Sequence, residues 1–279
     1  MPPPSERAAA TRPGSGDPRV ASGRGDAYRW RQVATLLCFA AFGVSGLVFG
    51  FVVTPAMRLR HRDPAARGRA LRRALQAAMR INLGLMRALR VLDWRTEGTV
   101  PDVPGAMIVA NHPSLIDAVI LLAVVPDALC IAKQALADNP FIGRAVRALG
   151  YPVNANPRAM VAQCVGLLRA GHTLVVFPEG TRTPAGRPLG PLQRGAAHIA
   201  VRSGCPVHPA TIRVSEPTLS KGAPWWRVPD RRPSFVVRFH APRPGARAGS
   251  PASSGAAARE ASRQWEALFC EEIARADLP

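Results

Sequence analysis

The sequence has no C-x-x-C pair and no cysteine–histidine spacing suited to zinc, so Cys38, Cys130, Cys164, Cys205 and Cys270 form neither a metal-site nor a redox-pair pattern. An odd count also argues against a closed set of disulfides, and these thiols are expected to be reduced, buried and on the cytosolic side. Aromatic residues are scarce, at 6%. With no recognition-helix pattern either, that scarcity leaves nothing to build a base-stacking platform, which excludes a nucleic-acid partner. Acidic residues are few, 18 against 37 Lys plus Arg, for a formal net charge of +19. Lysine itself is nearly missing, since every basic residue except Lys133 and Lys221 is arginine. Such a surface favours anionic partners, but charge alone does not choose among them. There is no internal repeat, and 279 residues suffice to bury the core of one ordinary domain with appendages.

Residues 1–30 are rich in Pro, Gly, Ser, Ala and Arg without apolar periodicity, and read as a disordered basic tail. From Val33 to Val53 no residue is charged, and a membrane helix needs about 20 such residues. Trp30 and flanking arginines suit the two interfaces, and the heavier cluster from Arg58 to Arg73 predicts that the C-terminal side faces the cytoplasm. Gly43, Gly46 and Gly50 leave a kinked or re-entrant hairpin open as the alternative. Between residues 65 and 92, Leu71, Leu75, Met79, Leu83, Met86 and Leu89 recur at helical spacing among arginines. That pattern fits a helix lying on an anionic membrane surface or one packed on the following domain. Residues 31–94 thus form an anchoring region.

A catalytic domain is expected over residues 95–245. Its strand-like runs are 106–110, 128–132, 173–177, 206–212 and 234–239, with helical candidates at 115–124, 140–149, 157–170 and 191–203. This alternation predicts an α/β domain with a central sheet flanked by helices, behind the N-terminal membrane helix. Residues 246–279 read as a linker, rich in Pro, Gly, Ala and Ser through 242–258, followed by a terminal helix carrying Trp265, Leu268, Phe269 and Ile273.

Two loops at predicted strand ends carry the chemistry. In AMIVANHPSLIDAVILL a strand ends at Ala110 and places Asn111, His112 and Pro113 on the connection. His112 and Asp117 are five residues apart, which is not one helix face, so they meet only if the chain turns at Pro113 and Ser114. With Ser114 as N-cap, Asp117 also suits the acid of a capping box. In TLVVFPEGTRTPAG a second strand ends in a Pro-Glu-Gly-Thr-Arg loop. There Gly180 permits close approach and Arg182 offers a planar fork of donors for phosphate or polyol, unless Glu179 and Arg182 simply pair with each other.

The two blocks together, NHPSLID and FPEGTRT, resemble the Asn-His-x-x-x-x-Asp and Phe-Pro-Glu-Gly-Thr-Arg-Ser blocks of the glycerolipid acyltransferase family, of the lysophosphatidic-acid acyltransferase type. The resemblance spans roughly residues 95–240 and implies acyl transfer from acyl-CoA or acyl carrier protein to the hydroxyl of a lysophospholipid-like acceptor in phospholipid biosynthesis. It implies His112 as general base, Asp117 as its orienting acid, and Glu179, Gly180, Thr181 and Arg182 as acceptor-binding residues. It implies no metal and no cofactor beyond the thioester carrier. Partners would be membrane lipid, the lyso-acceptor and acyl carrier protein, at the bacterial inner membrane with the catalytic domain facing the cytoplasm.

GYPVNAN departs from the family's Gly-x-x-Phe-Ile-x-Arg block, so Asn156 stands where an arginine is usual and Arg158 follows two residues on. Both are candidates for acceptor binding. CPVHPAT stands for the Pro-rich fourth block, and its His208 reads as structural. The stretches KQALADNPFIGRAVRALGY and KGAPWWRVPDRRPSF resemble a bacterial subgroup of polyketide-like or aryl-polyene lipid pathways, whose acceptor need not be phosphatidate-related. Three other readings remain open: a basic membrane-associated adaptor, a thioester hydrolase, and an acyl-enzyme route through Ser114 or Cys164.

Overall fold

The computed structural model describes residues 18–243 and 251–275, with side chains from residue 28 onward and from residue 254 in the last segment. The tail expected over residues 1–17 lies outside the described residues. Helix α1 (Pro18–Val48) runs through a π-helical turn (Phe49–Val53) into α2 (Thr54–Arg60). Residues 18–30, read from composition as disordered, are therefore helical. Helix α3 (Pro64–Ala88) follows, opened by Asp63, whose carboxylate accepts from Ala65 N at 3.2 Å and Ala66 N at 2.8 Å, with Pro64 in the first turn where its missing N–H costs nothing.

The remaining elements are β1 (Asp93–Glu97), β2 (Met107–Ala110), α4 (Asp117–Val124), β3 (Ala128–Cys130), β4 (Ala132–Lys133), α5 (Gln134–Ala137), α6 (Gly143–Leu149) and β5 (Val153–Asn154). They continue as α7 (Pro157–Arg169), β6 (Thr173–Val176), α8 (Arg194–Ser203), β7 (Val207–Val214), β8 (Ser234–Phe239) and α9 (Pro251–Ala274). Six strands form one sheet in the order β1-β8-β7-β2-β6-β3, parallel except for the antiparallel pair β7 and β8. The short β4 and β5 pair in parallel apart from it. A parallel neighbour requires a crossover, and the helices between successive strands supply it on both faces.

Burial on both faces explains why β2 and β6 are apolar throughout. Along β2, Met107 and Val109 join the layer of α7 and α8 with Leu174 and Val176, whereas Ile108 and Ala110 join the opposite layer with α3 and α4. A large side chain taken wholly out of water here contributes about 1.5–3 kcal/mol, so these few central residues anchor the frame.

The apolar stripe of α3 faces inward. Leu71, Met79, Leu83 and Met86 are buried while Arg69, Arg73, Arg80 and Arg87 remain exposed, so this helix packs on the domain and its stripe is closed to a membrane. Arg72 is buried and bidentate on Asp127 at 2.7 and 3.0 Å, and Gln76 and Arg80 donate to the carbonyls of Val125 and Ala123 at the end of α4. Helix α1 also lies along the domain. Trp30 Nε1 donates to Leu89 O at 3.1 Å, and farther on the Arg144 guanidinium sits 4.6 Å over the Phe51 ring. Gly46 lies against Phe141 and Ile142, where a Cβ has no room. Gly46 and Gly50 thus permit close packing of a continuous helix, and the re-entrant hairpin does not form.

The C-terminal helix begins at Pro251, inside the stretch that composition reads as linker; residues 244–250 lie outside the described residues. Ala258, Trp265 and Phe269 are buried with α8, and this packing overrides the linker-like composition. Strand β1 was not expected, because DWRTE is polar. It is an edge strand, paired with β8 from Asp93↔Ser234 onward, and an edge position tolerates such residues.

His208 sits near the amino end of β7 opposite Ile108 and is buried, away from the carboxyl edge of the sheet. Burial holds its imidazole pKa below the ordinary 6.5. The unfolded chain takes up a proton as pH falls through about 6.5, and the folded chain does so only at lower pH. The stability it contributes is therefore fully present above that value and lost as pH falls through the folded pKa. The melting temperature of the His208→Asn variant in detergent is expected to decline less between pH 7.5 and 5 than that of the parent chain. Equal slopes would remove His208 as a cause.

Candidate active site

The neighbouring parallel strands β2 and β6 run in register, Val109 beside Val176, so the loops that follow them leave the same edge of the sheet side by side. Crossovers depart from this pair in opposite directions, to β3 past β6 and to β7 past β2. The carboxyl edge at such a switch point is where open α/β sheets bind ligands.

Asn111 makes the exit from β2. Its side chain accepts from Ile212 N at 2.7 Å and donates to Ile212 O at 2.9 Å, completing a backbone-like pair with β7 and freeing the main chain to turn at His112. The turn expected at Pro113 and Ser114 is present. It brings Asp117 Oδ2 to 2.9 Å from His112 Nδ1 and lets the same oxygen accept from Ser114 N at 2.7 Å. The capping role and the histidine partnership, alternatives on the sequence, therefore coexist on one atom. Helix α4 starts at Asp117 itself, and Ser114 Oγ reaches only Ile116 N at 3.4 Å.

Asp117 is fully buried, which pushes its carboxyl pKa up, while the bonds from His112 and Ser114 pull it back. Phe177, just beyond β6, stacks on the His112 ring at 4.1 Å between centroids. With Nδ1 held by Asp117 and the ring braced by Phe177, Nε2 is left without a protein partner among the described residues. The imidazole is 15% exposed, enough for a substrate atom to reach it.

Glu179 does not sit where a ligand would meet it. It is buried, with Oε1 accepting from His112 N at 2.7 Å and Oε2 accepting from Thr183 Oγ1 at 2.8 Å and Gly190 N at 2.7 Å. Thr183 N in turn donates to His112 O at 2.7 Å. The acceptor-binding role expected of Glu179 thus gives way to a structural one, because both its oxygens are already used. It does not pair with Arg182, whose Nη1 donates to Leu219 O at 2.7 Å and Ser220 O at 3.2 Å. Gly180 has φ +65°, a left-handed conformation that lets the loop turn back toward Phe177.

Thr181 is met by a residue the sequence reading did not assign. Lys133 Nζ lies 3.3 Å from Thr181 Oγ1, carried there by β4. Its being one of only two lysines was the available signal. Asn156 is a helix cap, accepting from Arg158 N at 3.0 Å and Ala159 N at 3.2 Å ahead of Pro157. No side-chain hydrogen bond among the described residues joins Asn156 or Arg158 to either loop. The alternative nucleophiles are closed off: Ser114 is buried, and burial raises the Cys164 thiol to about 12. A cavity of about 190 Å³ adjoins the two loops, lined in part by Asn111, Pro113, Thr183, Arg187 and Ser220.

Comparison with known proteins points to the part of the chain that holds both loops. The family model described as Acyltransferase matches residues 92–213. The chloroplastic 1-acyl-sn-glycerol-3-phosphate acyltransferase BAT2 of Brassica napus is 38% identical over 109 residues, 37% of this chain and 31% of that protein. A 1-acyl-sn-glycerol-3-phosphate acyltransferase of Helicobacter pylori is 33% identical over 40% of this chain and 49% of its own length. One of Pseudomonas aeruginosa is 27% identical over 64% and 70%. The chain thus spans about a third to a half of the first two relatives. The crystal structure of the 1-acyl-sn-glycerophosphate acyltransferase PlsC from Thermotoga maritima superposes with TM-score 0.67 at 22% identity, covering 89% of this chain and all of that one, a likeness of fold. Residues 92–213, which the acyltransferase model matches, hold both loops, and the chain shares the fold of that crystal structure.

Proposed function

We propose that this protein is an O-acyltransferase that moves a fatty-acyl group from a thioester to the hydroxyl of a lysophosphatidic-acid-like acceptor in phospholipid synthesis. The observation that carries the reading is the His112 imidazole held by Asp117 at 2.9 Å with its other nitrogen unengaged, at the shared carboxyl edge of β2 and β6. The names of the relatives support the acceptor class. The donor is acyl-CoA or acyl carrier protein, and no cofactor is needed beyond its thiol carrier.

In this mechanism His112 Nε2 accepts the proton of the acceptor hydroxyl as its oxygen attacks the thioester carbonyl. Asp117 keeps the proton on Nδ1 and stabilises the imidazolium that forms. Collapse of the tetrahedral adduct breaks the C–S bond, and the imidazolium returns its proton to the departing thiolate. The hydroxyl itself is the nucleophile, so no acyl-enzyme forms. Lys133 and the free part of the Arg182 guanidinium supply cations for the acceptor's head group beside Thr181. Because Asn156 replaces the usual arginine and is committed to capping α7, the natural acceptor is expected to be less anionic than lysophosphatidic acid.

The α1 helix supports a membrane location. It is part of a 33-residue apolar span, Tyr28–Arg60, only 22% buried in its most apolar window, and Val33, Leu37, Val44, Val48 and Phe51 face outward along it. Since both halves of that helix touch the domain, the domain lies close to whatever lipid covers the helix's outward face, and the arginine cluster that follows the helix favours the cytoplasmic side of the inner membrane. Carbonate extraction of membranes is expected to leave the full-length chain in the pellet. Full release would exclude an integral anchor.

His112→Ala is expected to lower acyl transfer roughly 100-fold or more, with Asp117→Asn nearly as damaging, when membranes carrying the protein receive labelled acyl donors and a panel of lyso-acceptors. Retained activity in Asp117→Asn would reduce that residue to a cap, and release of free fatty acid without acceptor would indicate a hydrolase. Lys133→Ala should raise the acceptor KM more than it lowers kcat if its binding is the same in ground and transition states.

Glu179→Gln separates frame from chemistry. A glutamine amide presents one oxygen where three donors now converge, so the variant should lose about 1–3 kcal/mol of stability. Thermal melts in detergent read this directly, and a variant as stable as the parent would show that Glu179 is not the clamp.

A further inference from the structure

The chain between β7 and β8, residues 215–233, touches both α1 and the two site loops. At its tip Trp225 and Trp226 are 39% and 55% exposed, an unusual place for two adjacent indoles. They meet edge to face at 5.8 Å, and Trp225 packs the same way on Phe39 of α1 at 5.9 Å. Gln32 Nε2 donates to Trp226 O at 3.0 Å and Arg31 Nη2 to Asp230 O at 2.7 Å, so with Phe39 the loop is tied to α1 by three residues of that helix. The indoles therefore continue the exposed apolar face of α1. Lys221, Arg227 and Arg231 are exposed around them. An indole pair in a loop whose exposed charges are three cations and one acid, Asp230, suits a membrane interface, apolar at the indoles and phosphate-seeking at the cations.

The other end of the loop reaches the site. Leu219, held at φ +50°, offers its carbonyl to Arg182 Nη1 at 2.7 Å and to Leu115 N at 3.3 Å. Thus one carbonyl bridges the loop after β6 and the turn after His112.

We propose that the Trp225–Trp226 loop is a second lipid-contact site, entering the interfacial layer of an anionic membrane beside α1, and that this contact holds Leu219 where it positions Arg182. The inference rests on the membrane reading of α1. Its occupant is a lipid surface because the indoles are continuous with the apolar helix face and the surrounding exposed side chains are mainly cationic.

The full-length protein, reconstituted in phosphatidylethanolamine–phosphatidylglycerol vesicles containing a lipid brominated on its acyl chains, provides the test. Bromine should quench the parent's indole emission, and Trp225→Phe with Trp226→Phe should remove part of that quenching. If the quenched fraction is the same in both proteins, the loop does not touch lipid. Protection that appears only as protein concentration rises indicates a second copy on this face and also overturns the proposal. Trp225→Ser with Trp226→Ser should lower transfer to a vesicle-borne lyso-acceptor roughly three- to tenfold, a coupling-sized effect, while sparing transfer to the same acceptor in detergent micelles. Equal loss in both settings would make the loop merely structural. A parent chain without any acyl transfer would defeat the proposed function, yet the quenching result would still decide the lipid contact.

Discussion

A buried carboxylate must be surrounded by donors, and Glu179 meets that requirement with groups from three places in the chain: His112 N, Thr183 Oγ1 and Gly190 N. The first belongs to the loop after β2 and the others to the segment after β6. Satisfying one charge therefore fixes the distance between the two loops, which strand pairing alone would leave to the flexibility of a few residues. The bond from Thr183 N to His112 O closes the same junction from the other side. The position of the imidazole depends on this junction, because Glu179 holds the backbone of His112 and Asp117 holds its side chain. The electrostatic cost of burying Glu179 is the constraint, and a defined position for His112 is its consequence.

The fold was largely legible because its central strands are buried on both faces. Such strands must be apolar throughout, as MIVA and TLVV are, and they stand out against amphipathic helices such as α7 and α8. What escaped notice was polar or short. Strand β1 survives at an edge, and β5 owes its two residues to pairing with β4, which no local pattern announces. Composition misled at both ends of the chain: residues 18–30 read as a disordered tail and are helical, and the stretch that reads as linker opens a helix packed through Trp265 and Phe269. Helix α3 had two readings because an arginine-flanked apolar stripe has the same periodicity on lipid and on protein. Only the burial of Leu83 and Met79 separates them.

At the site, the pairs close in sequence were readable and the distant ones were not. His112 and Asp117 need one turn to meet, and Pro113 and Ser114 announce it. The family resemblance implies ligand binding by Glu179, whereas two of its partners lie 67 and 11 residues away and leave no trace in the local sequence. Lys133 was overlooked for the same reason, since its proximity to Thr181 depends on β4, a two-residue strand. Arg182 lies between these cases. Its fork geometry suggested an anion, but one of its nitrogens is spent on the carbonyls of Leu219 and Ser220.

That commitment of Arg182 bears on how an amphiphilic substrate would be received. An acceptor with an acyl tail and a polar head needs cations that are fixed relative to the lipid surface from which it comes, because a cation placed without regard to that surface would draw the head group away from the hydroxyl's line of attack. Lys133 is carried by the domain. Arg182 is tied through Leu219 to a loop that is itself bound to α1, the element with the exposed apolar face. Under the proposed membrane contact, the depth of the head group relative to His112 is set by the same contacts that set the depth of the protein in the membrane. Under the proposed function, the hydroxyl arrives at Nε2 without the site having to extract the whole lipid, and the desolvation cost of moving the tail through water is avoided.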